Sequence, residues 1–253
     1  MTSKRGTSLQ KVKAVFTDYI GTITNARRYT MEVSIERLHN ALSEAGFQTE
    51  KSKFLEAYGK AHEKYRLVRF EELREVTNAV WVSETLCELG HKVDARNGSL
   101  TSALDVFFRD YVKSLELRPY AETLLKKISE KCALGLISNF TYAPVIHESI
   151  KRLGIGQYFD AVIVSHECGW RKPHLKIFSD ALKQLDVKAT EAVFIGDNPE
   201  EDIRGALDVG MKTVFVHSQF FGSKDLKKSG VKADFVGKDL EEIYQCLPKI
   251  IGI

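Results

Sequence analysis

The sequence predicts an α/β protein, a mostly parallel sheet covered by helices on both faces and interrupted after its first strand by a helical bundle. Three observations lead there. A short apolar, β-branched run at 12–16 ends on Asp18 and a Gly21-Thr22 turn. From 31 to 115 the apolar residues recur at helical spacing. Beyond Pro119 helical and strand-like stretches alternate, the rhythm of crossovers between parallel strands.

The elements follow in order. Met31, Ile35, Leu38, Leu42 and Ala45 form a first helical stripe, stopped by Gly46. Phe54, Tyr58, Ala61, Tyr65 and Val68 form a second. Leu73, Val76, Val80, Leu86 and Leu89 form a third, closed by Gly90. Leu100, Leu104, Phe107, Phe108, Tyr111 and Leu115 form a fourth. Four amphipathic helices in succession make a small bundle. Next come a helix at 121–130, a strand at 133–137 ending on Ser138-Asn139, and a helix at 145–153. A strand at 161–164, a helix at 175–185 and a strand at 192–195 ending on Gly196-Asp197 follow. Pro199 opens another helix, where its missing N–H does no harm. Strands at 213–216 and 234–236 and a helix at 240–247 complete the chain. This divides it into a core (1–23 and 118–253) and an inserted helical cap (24–117).

The composition excludes several classes. With 43% apolar and 28% charged residues in 253, the chain is an ordinary globular protein. A net charge of +3, with the basic residues dispersed, gives no reason to expect a nucleic-acid partner. The polar opening Thr2-Ser3-Lys4-Arg5-Gly6 has no apolar segment behind it, so neither a signal peptide nor a membrane span is expected. Cys87, Cys132, Cys168 and Cys246 lie far apart and make no metal spacing, which reads as a reduced cytoplasmic protein with buried thiols. Nothing in the sequence sets an oligomeric state.

Three predicted strands end on polar residues: Asp18, Ser138-Asn139 and Asp197. In a parallel sheet such ends share one edge and can converge. Lys172, just before a helix, and Asp202, five residues after Asp197, complete a set with one carboxylate for attack, two for a cation, a lysine and a hydroxyl.

These residues fall in four ordered motifs: Asp18-Tyr19-Ile20-Gly21-Thr22, then Leu136-Ile137-Ser138-Asn139. Arg171-Lys172-Pro173 with Ile177-Phe178 follows, then Gly196-Asp197-Asn198-Pro199-Glu200-Glu201-Asp202. In them the chain resembles the haloacid dehalogenase (HAD) superfamily across residues 11–250, and the helical insertion resembles the cap of its first subclass. The resemblance implies a Rossmann-like core and a hydrolase acting on a small molecule, with Asp18 as nucleophile forming a covalent aspartyl intermediate. Thr22, Ser138 and Asn139 would hydrogen-bond the nucleophile and the transferring group, and Lys172 would hold their charges together. Asp18, the backbone carbonyl of Ile20, Asp197 and Asp202 would hold Mg²⁺.

Ile20 departs from the pattern. Phosphatases of this family carry a second Asp there to protonate the leaving alcohol and later activate water. Its absence leaves three readings: a Mg²⁺-dependent phosphate-ester hydrolase, a metal-independent 2-haloacid dehalogenase, and a weakly active member that binds a phosphorylated ligand or a protein. The metal-type fourth motif favours the first. For carbon–halogen chemistry Tyr58 lies nearest the expected cap position, and no arginine has a clear place there. A phosphonate hydrolase would draw its cap lysine from Lys53 or Lys60. Of the other cap residues, His62, Tyr65, Arg66 and Arg69 share the second stripe; Tyr65 reads as core and the arginines as solvated. Trp170 either walls the pocket or packs, and Cys168 and His174 read as structural.

Overall fold

The computed structural model describes residues 11–252. Eight strands are present: β1 (Ala14–Thr17), β2 (Thr24–Ala26), β3 (Leu115–Leu117), β4 (Ala133–Ser138), β5 (Ala161–Val164), β6 (Ala192–Gly196), β7 (Lys212–Val216) and β8 (Phe235–Gly237). Six of them form one parallel sheet in the order β5-β4-β1-β6-β7-β8. Successive strand residues face opposite sides. Val15 joins a cluster with Leu124, Ile128, Ile146 and Ile243, whereas Ala14 and Phe16 join Ile177, Phe178 and Ala181 on the other face. Those layers are α5 (Ala121–Ser129), α6 (Ala143–Arg152) and α11 (Leu240–Ile251) on one side, and α8 (Leu175–Gln184) with α9 (Gly205–Asp208) on the other. Burial on both faces explains why these strands read as continuous apolar runs.

Between β2 and β3 lie α1 (Met31–Glu44), α2 (Lys51–Glu71), α3 (Asn78–Glu88) and α4 (Gly98–Ser114). Their apolar faces, including Leu38, Phe54, Trp81 and Leu104, are buried together. Two of the helical stripes differ from the sequence reading. The third stripe starts too early, because Leu73 sits at a φ of 56° and Arg74 bridges to Trp170, so α3 begins only at Asn78. The fourth stripe runs too far: Leu115 opens β3, which pairs antiparallel with β2 where the insert leaves and rejoins the sheet. The helix expected at Pro199 is π-helical over Pro199–Arg204 before α9. Two further short helices are α7 (Ser165–Cys168) and α10 (Ser223–Ser229). No cysteine is paired among the described residues, and Cys87 is exposed rather than buried. None of the described helices is long and apolar enough to cross a membrane.

One packing detail carries a pH dependence. His166 Nδ1 accepts a hydrogen bond from the Ala143 N–H at 2.7 Å, at the N-terminus of α6, so the ring must be neutral on that nitrogen. Burial lowers its pKa below the ordinary 6.5. A depressed folded value means the contribution is intact above the unfolded pKa and is lost as pH falls through the folded one. Urea unfolding should therefore show stability falling below about pH 6.5, and His166→Asn, which keeps an acceptor without titrating, should flatten that limb. An unchanged pH profile in the variant would contradict this.

Candidate active site

The order β4-β1-β6 brings the carboxyl ends of three adjacent strands to one edge. Asp18 is the first residue past β1, and its N–H donates to the Ile195 carbonyl at 2.9 Å, continuing the sheet pairing by one step. The next side chain, Tyr19, turns into the core and bonds Ser149 at 2.8 Å. The chain then doubles back, with the Ile23 and Thr24 N–H groups donating to the Tyr19 carbonyl. Gly21 is needed at this turn. Its φ is +100°, and a Cβ there would lie 2.4 Å from Asp197 Oδ2. Gly196 is constrained likewise, since a Cβ would meet Asp202 Oδ2 at 2.4 Å.

Asp18, Asp197 and Asp202 are all buried, and each offers an oxygen within 4.8 Å of the others. Asp202 stands on the π-helical segment, where its Oδ2 accepts from the Asp197 and Asn198 N–H groups at 3.1 and 3.0 Å. Such segments recur at functional positions. Lys172, 1% exposed, donates from Nζ to Asp18 Oδ1 at 2.7 Å and to the Ile137 carbonyl at 2.9 Å. It also lies 2.6 Å from Asp202 Oδ1, a charge contact outside hydrogen-bond alignment. Burial opposes the lysine's charge, but the two neighbouring carboxylates outweigh it and hold the ammonium above the ordinary lysine value. Burial, then the charge of Asp18, pushes the Asp197 carboxyl up to about 7.

Asp18 Oδ2 and Asp197 Oδ2 are buried without a hydrogen-bond partner. Orphaned carboxylate oxygens facing one another are costly unless a cation lies between them. The donors are hard oxygens, which suit Mg²⁺ or a similar divalent ion. These residues line a cavity of about 240 Å³ together with Ile20, Ser138, Asn139, Tyr111 and Glu201.

Not every expected residue meets the cavity as anticipated. Thr22 is fully buried and donates to Asp197 Oδ1 at 3.2 Å, bracing a neighbouring acid rather than Asp18. The Asn139 side chain accepts from the Lys172 N–H at 2.8 Å and donates to the Lys172 carbonyl and to Glu201, each at 2.9 Å. It fixes the lysine's backbone. Glu201 is held by Asn139 through one oxygen, and the other lies 3.7 Å from Arg171. Lys53 and Lys60 pair on the surface with Glu50 and Glu56 and line neither this cavity nor the one within the insert. Tyr65 donates to Glu84, Arg66 pairs with Glu63, and Trp170 stacks on His174 at 4.0 Å.

Glu75 is the residue that sequence reasoning missed. It lies in the loop between α2 and α3 with a fully buried side chain, accepting from Arg69 at 2.9 Å, from Arg171 at 2.7 Å and from Ser165. Arg69, read as solvated, is 13% exposed and committed to this pair. Backbone bonds from Glu75 to Gly169 and from Arg171 to Leu73 run alongside. The insert thus grips the segment carrying Lys172. Glu75→Gln takes the buried carboxylate from Arg69 and leaves Arg171 with only Glu201 at 3.7 Å, and breaking a buried pair from one side costs about 3–5 kcal/mol. Urea melts should show that loss together with reduced turnover; an unaltered midpoint would mean the pairing contributes little.

The profile of the haloacid dehalogenase-like hydrolases matches residues 12–210. A glyceraldehyde 3-phosphate phosphatase of Methanopyrus kandleri (strain AV19) is 32% identical over 214 residues, 80% of this chain and 83% of that protein. One of Methanocaldococcus jannaschii is 43% identical over 106 residues, a match that spans 41% of this chain and only 46% of its relative. Among solved structures, a 2-haloacid dehalogenase from Pseudomonas syringae pv. Tomato DC3000 superposes with a TM-score of 0.62 at 20% identity, over 95% of this chain and 98% of that one. At that identity the likeness is one of fold.

Proposed function

The chain belongs to the haloacid dehalogenase-like hydrolases, and we propose that within them it is a Mg²⁺-dependent phosphatase acting on a small phosphate ester. The observation that carries this reading is the composition of the cavity wall. It holds Asp18, Asp197, Glu201 and Asp202 and no arginine or lysine among the described lining residues. A haloacid carboxylate would meet only like charge there. A phosphoryl group meets the same repulsion until a divalent cation occupies the carboxylates, and the cluster fits one. The relatives with matching sequence are named as phosphatases, which agrees.

In the mechanism we propose, residues 24–117 cap a core made of 1–23 and 118–253. Lys172 holds the Asp18 carboxylate through Oδ1; one of its two oxygens attacks and the other is left to the cation. The attacking oxygen bonds to phosphorus as the ester's P–O bond breaks, giving an aspartyl phosphate and an alkoxide that takes its proton from solvent. Water oxygen then bonds to phosphorus and gives up a proton to solvent, the Asp18–phosphorus bond breaks, and inorganic phosphate leaves. Ser138, which lines the cavity at the end of β4, would donate to a phosphoryl oxygen, while Thr22 and Asn139 hold Asp197 and Lys172 in place. Asp18, the Ile20 carbonyl, Asp197 and Asp202 would hold the Mg²⁺, which neutralises phosphoryl charge when bound. Four unpaired thiols support a reducing, cytoplasmic setting.

The test is a panel of small phosphate esters and 2-chloropropionate, each assayed with Mg²⁺ and with EDTA. Phosphate release that EDTA abolishes is expected. Chloride release without phosphate release, or phosphate release indifferent to EDTA, would overturn the reading.

A further inference from the structure

We infer that a second cavity, lined mostly by the helical insert, is the leaving-group site and takes a flat, uncharged ring carrying adjacent carbonyl and N–H groups, the amide edge of a nucleobase-like heterocycle. The inference rests on the phosphatase reading for its chemistry but not for its binding. The cavity is about 230 Å³ and is walled by aromatic side chains, among them Tyr58, Trp81, Phe107 and Phe108. Tyr111 and Phe140 line this cavity and the one at Asp18, with their rings stacked 5.6 Å apart. The two cavities meet at these two rings, and an ester with its phosphoryl group at Asp18 would extend its leaving group past them into the insert.

Two polar atoms in the wall await partners. Asn78 is 4% exposed, and its Oδ1 accepts nothing; Trp81 is 2% exposed, and its Nε1 donates to nothing. The Trp81 N–H comes near the Tyr58 hydroxyl without reaching hydrogen-bond geometry. Buried polar groups without partners are rare and costly, and a ligand that satisfies them recovers that cost. A primary amide offers an acceptor and a donor side by side in one plane, the complement of a ring's C=O and N–H edge. The indole N–H adds a donor for a further ring oxygen, and the aromatic walls suit a ring's faces.

Charge argues against the other ligands. Arg69 reaches the cavity but is paired with buried Glu75. His62 also lines it; burial, then the charge of Arg69, lowers its pKa and so disfavours the imidazolium. A second phosphate or a carboxylate would find no free cation. A small polyol would leave most of the aromatic wall uncovered.

The experiment compares uridine 5′-monophosphate with ribose 5-phosphate, which has the same ester and no ring. Wild-type protein should prefer the nucleotide. Asn78→Leu and Trp81→Phe should each raise KM for it by up to about tenfold, with a far smaller effect on ribose 5-phosphate, whose turnover also reports intact folding. Equal kcat/KM for both esters, or variants that depress both alike, would overturn the assignment. Calorimetric titration with uridine, which has no phosphate, separates the two readings. If no ester is turned over but uridine binds and Asn78→Leu weakens it, the phosphatase reading fails and the cavity assignment stands. No uridine binding and no preference for the ring would remove it.

Discussion

Asp18→Asn is expected to leave a folded protein without measurable turnover. An amide oxygen cannot supply the electron pair that forms the aspartyl intermediate, so both half-reactions are lost. The substitution should not unfold the chain, because Asp18 is one of three buried carboxylates whose oxygens lie within 4.8 Å of one another. Removing one charge relieves repulsion, and it removes part of the push that raises Asp197. The melting temperature of the metal-free variant should equal or exceed the wild-type value while activity vanishes. Residual turnover above a few per cent would take Asp18 out of the nucleophile role. A collapse in stability would instead show that the Lys172–Asp18 pair matters more for folding than the local repulsion does.

Ile20→Asp should have the opposite sign. Ile20 lines the cavity beside Asp18, so an aspartate there would stand next to the reacting carboxylate. Positioned acid–base assistance is worth roughly 10²- to 10⁴-fold. The gain should be greatest for alkyl phosphates, whose alkoxides leave poorly unless protonated. It should be smaller for p-nitrophenyl phosphate, whose leaving group needs no proton, and there it should come from faster hydrolysis of the intermediate. Steady-state kcat on both esters measures this. No gain on the alkyl ester would mean that another group already supplies the proton or that phosphate esters are not the substrates.

Much of this arrangement was legible before any coordinates, for a topological reason. Asp18, Ser138 and Asp197 each follow an apolar run, and a parallel sheet places such ends along one edge. What the sequence could not convey was which side chain each of these residues would meet. Thr22 reaches Asp197 and Asn139 reaches the Lys172 backbone, contacts set by the β1–β6 spacing and by the loop entering α8. Glu75 stayed hidden because its two arginines come from different parts of the chain, and an isolated acid in a loop between helices has no local signature. Asn78 and Trp81 lie off the third helical stripe and carry no signal of their own, and only the packing of α2, α3 and α4 leaves a space beside them. Strands β2 and β3, three residues each, are too short for an alternating pattern to register.

Ile20 also shapes the kinetics of the unaltered protein. With p-nitrophenyl phosphate the first step needs no acid, but the second lacks a base, so the aspartyl phosphate should accumulate during turnover. Quenching the Mg²⁺-loaded enzyme with that ester, reducing acyl phosphates with borohydride and mapping peptides by mass spectrometry reads the intermediate directly. The expected result is reduction of the carboxyl at position 18 alone, with a burst of p-nitrophenol matching the enzyme concentration. Steady phosphate release with position 18 unmodified, or modification at another carboxylate, would contradict a covalent phosphatase acting through Asp18.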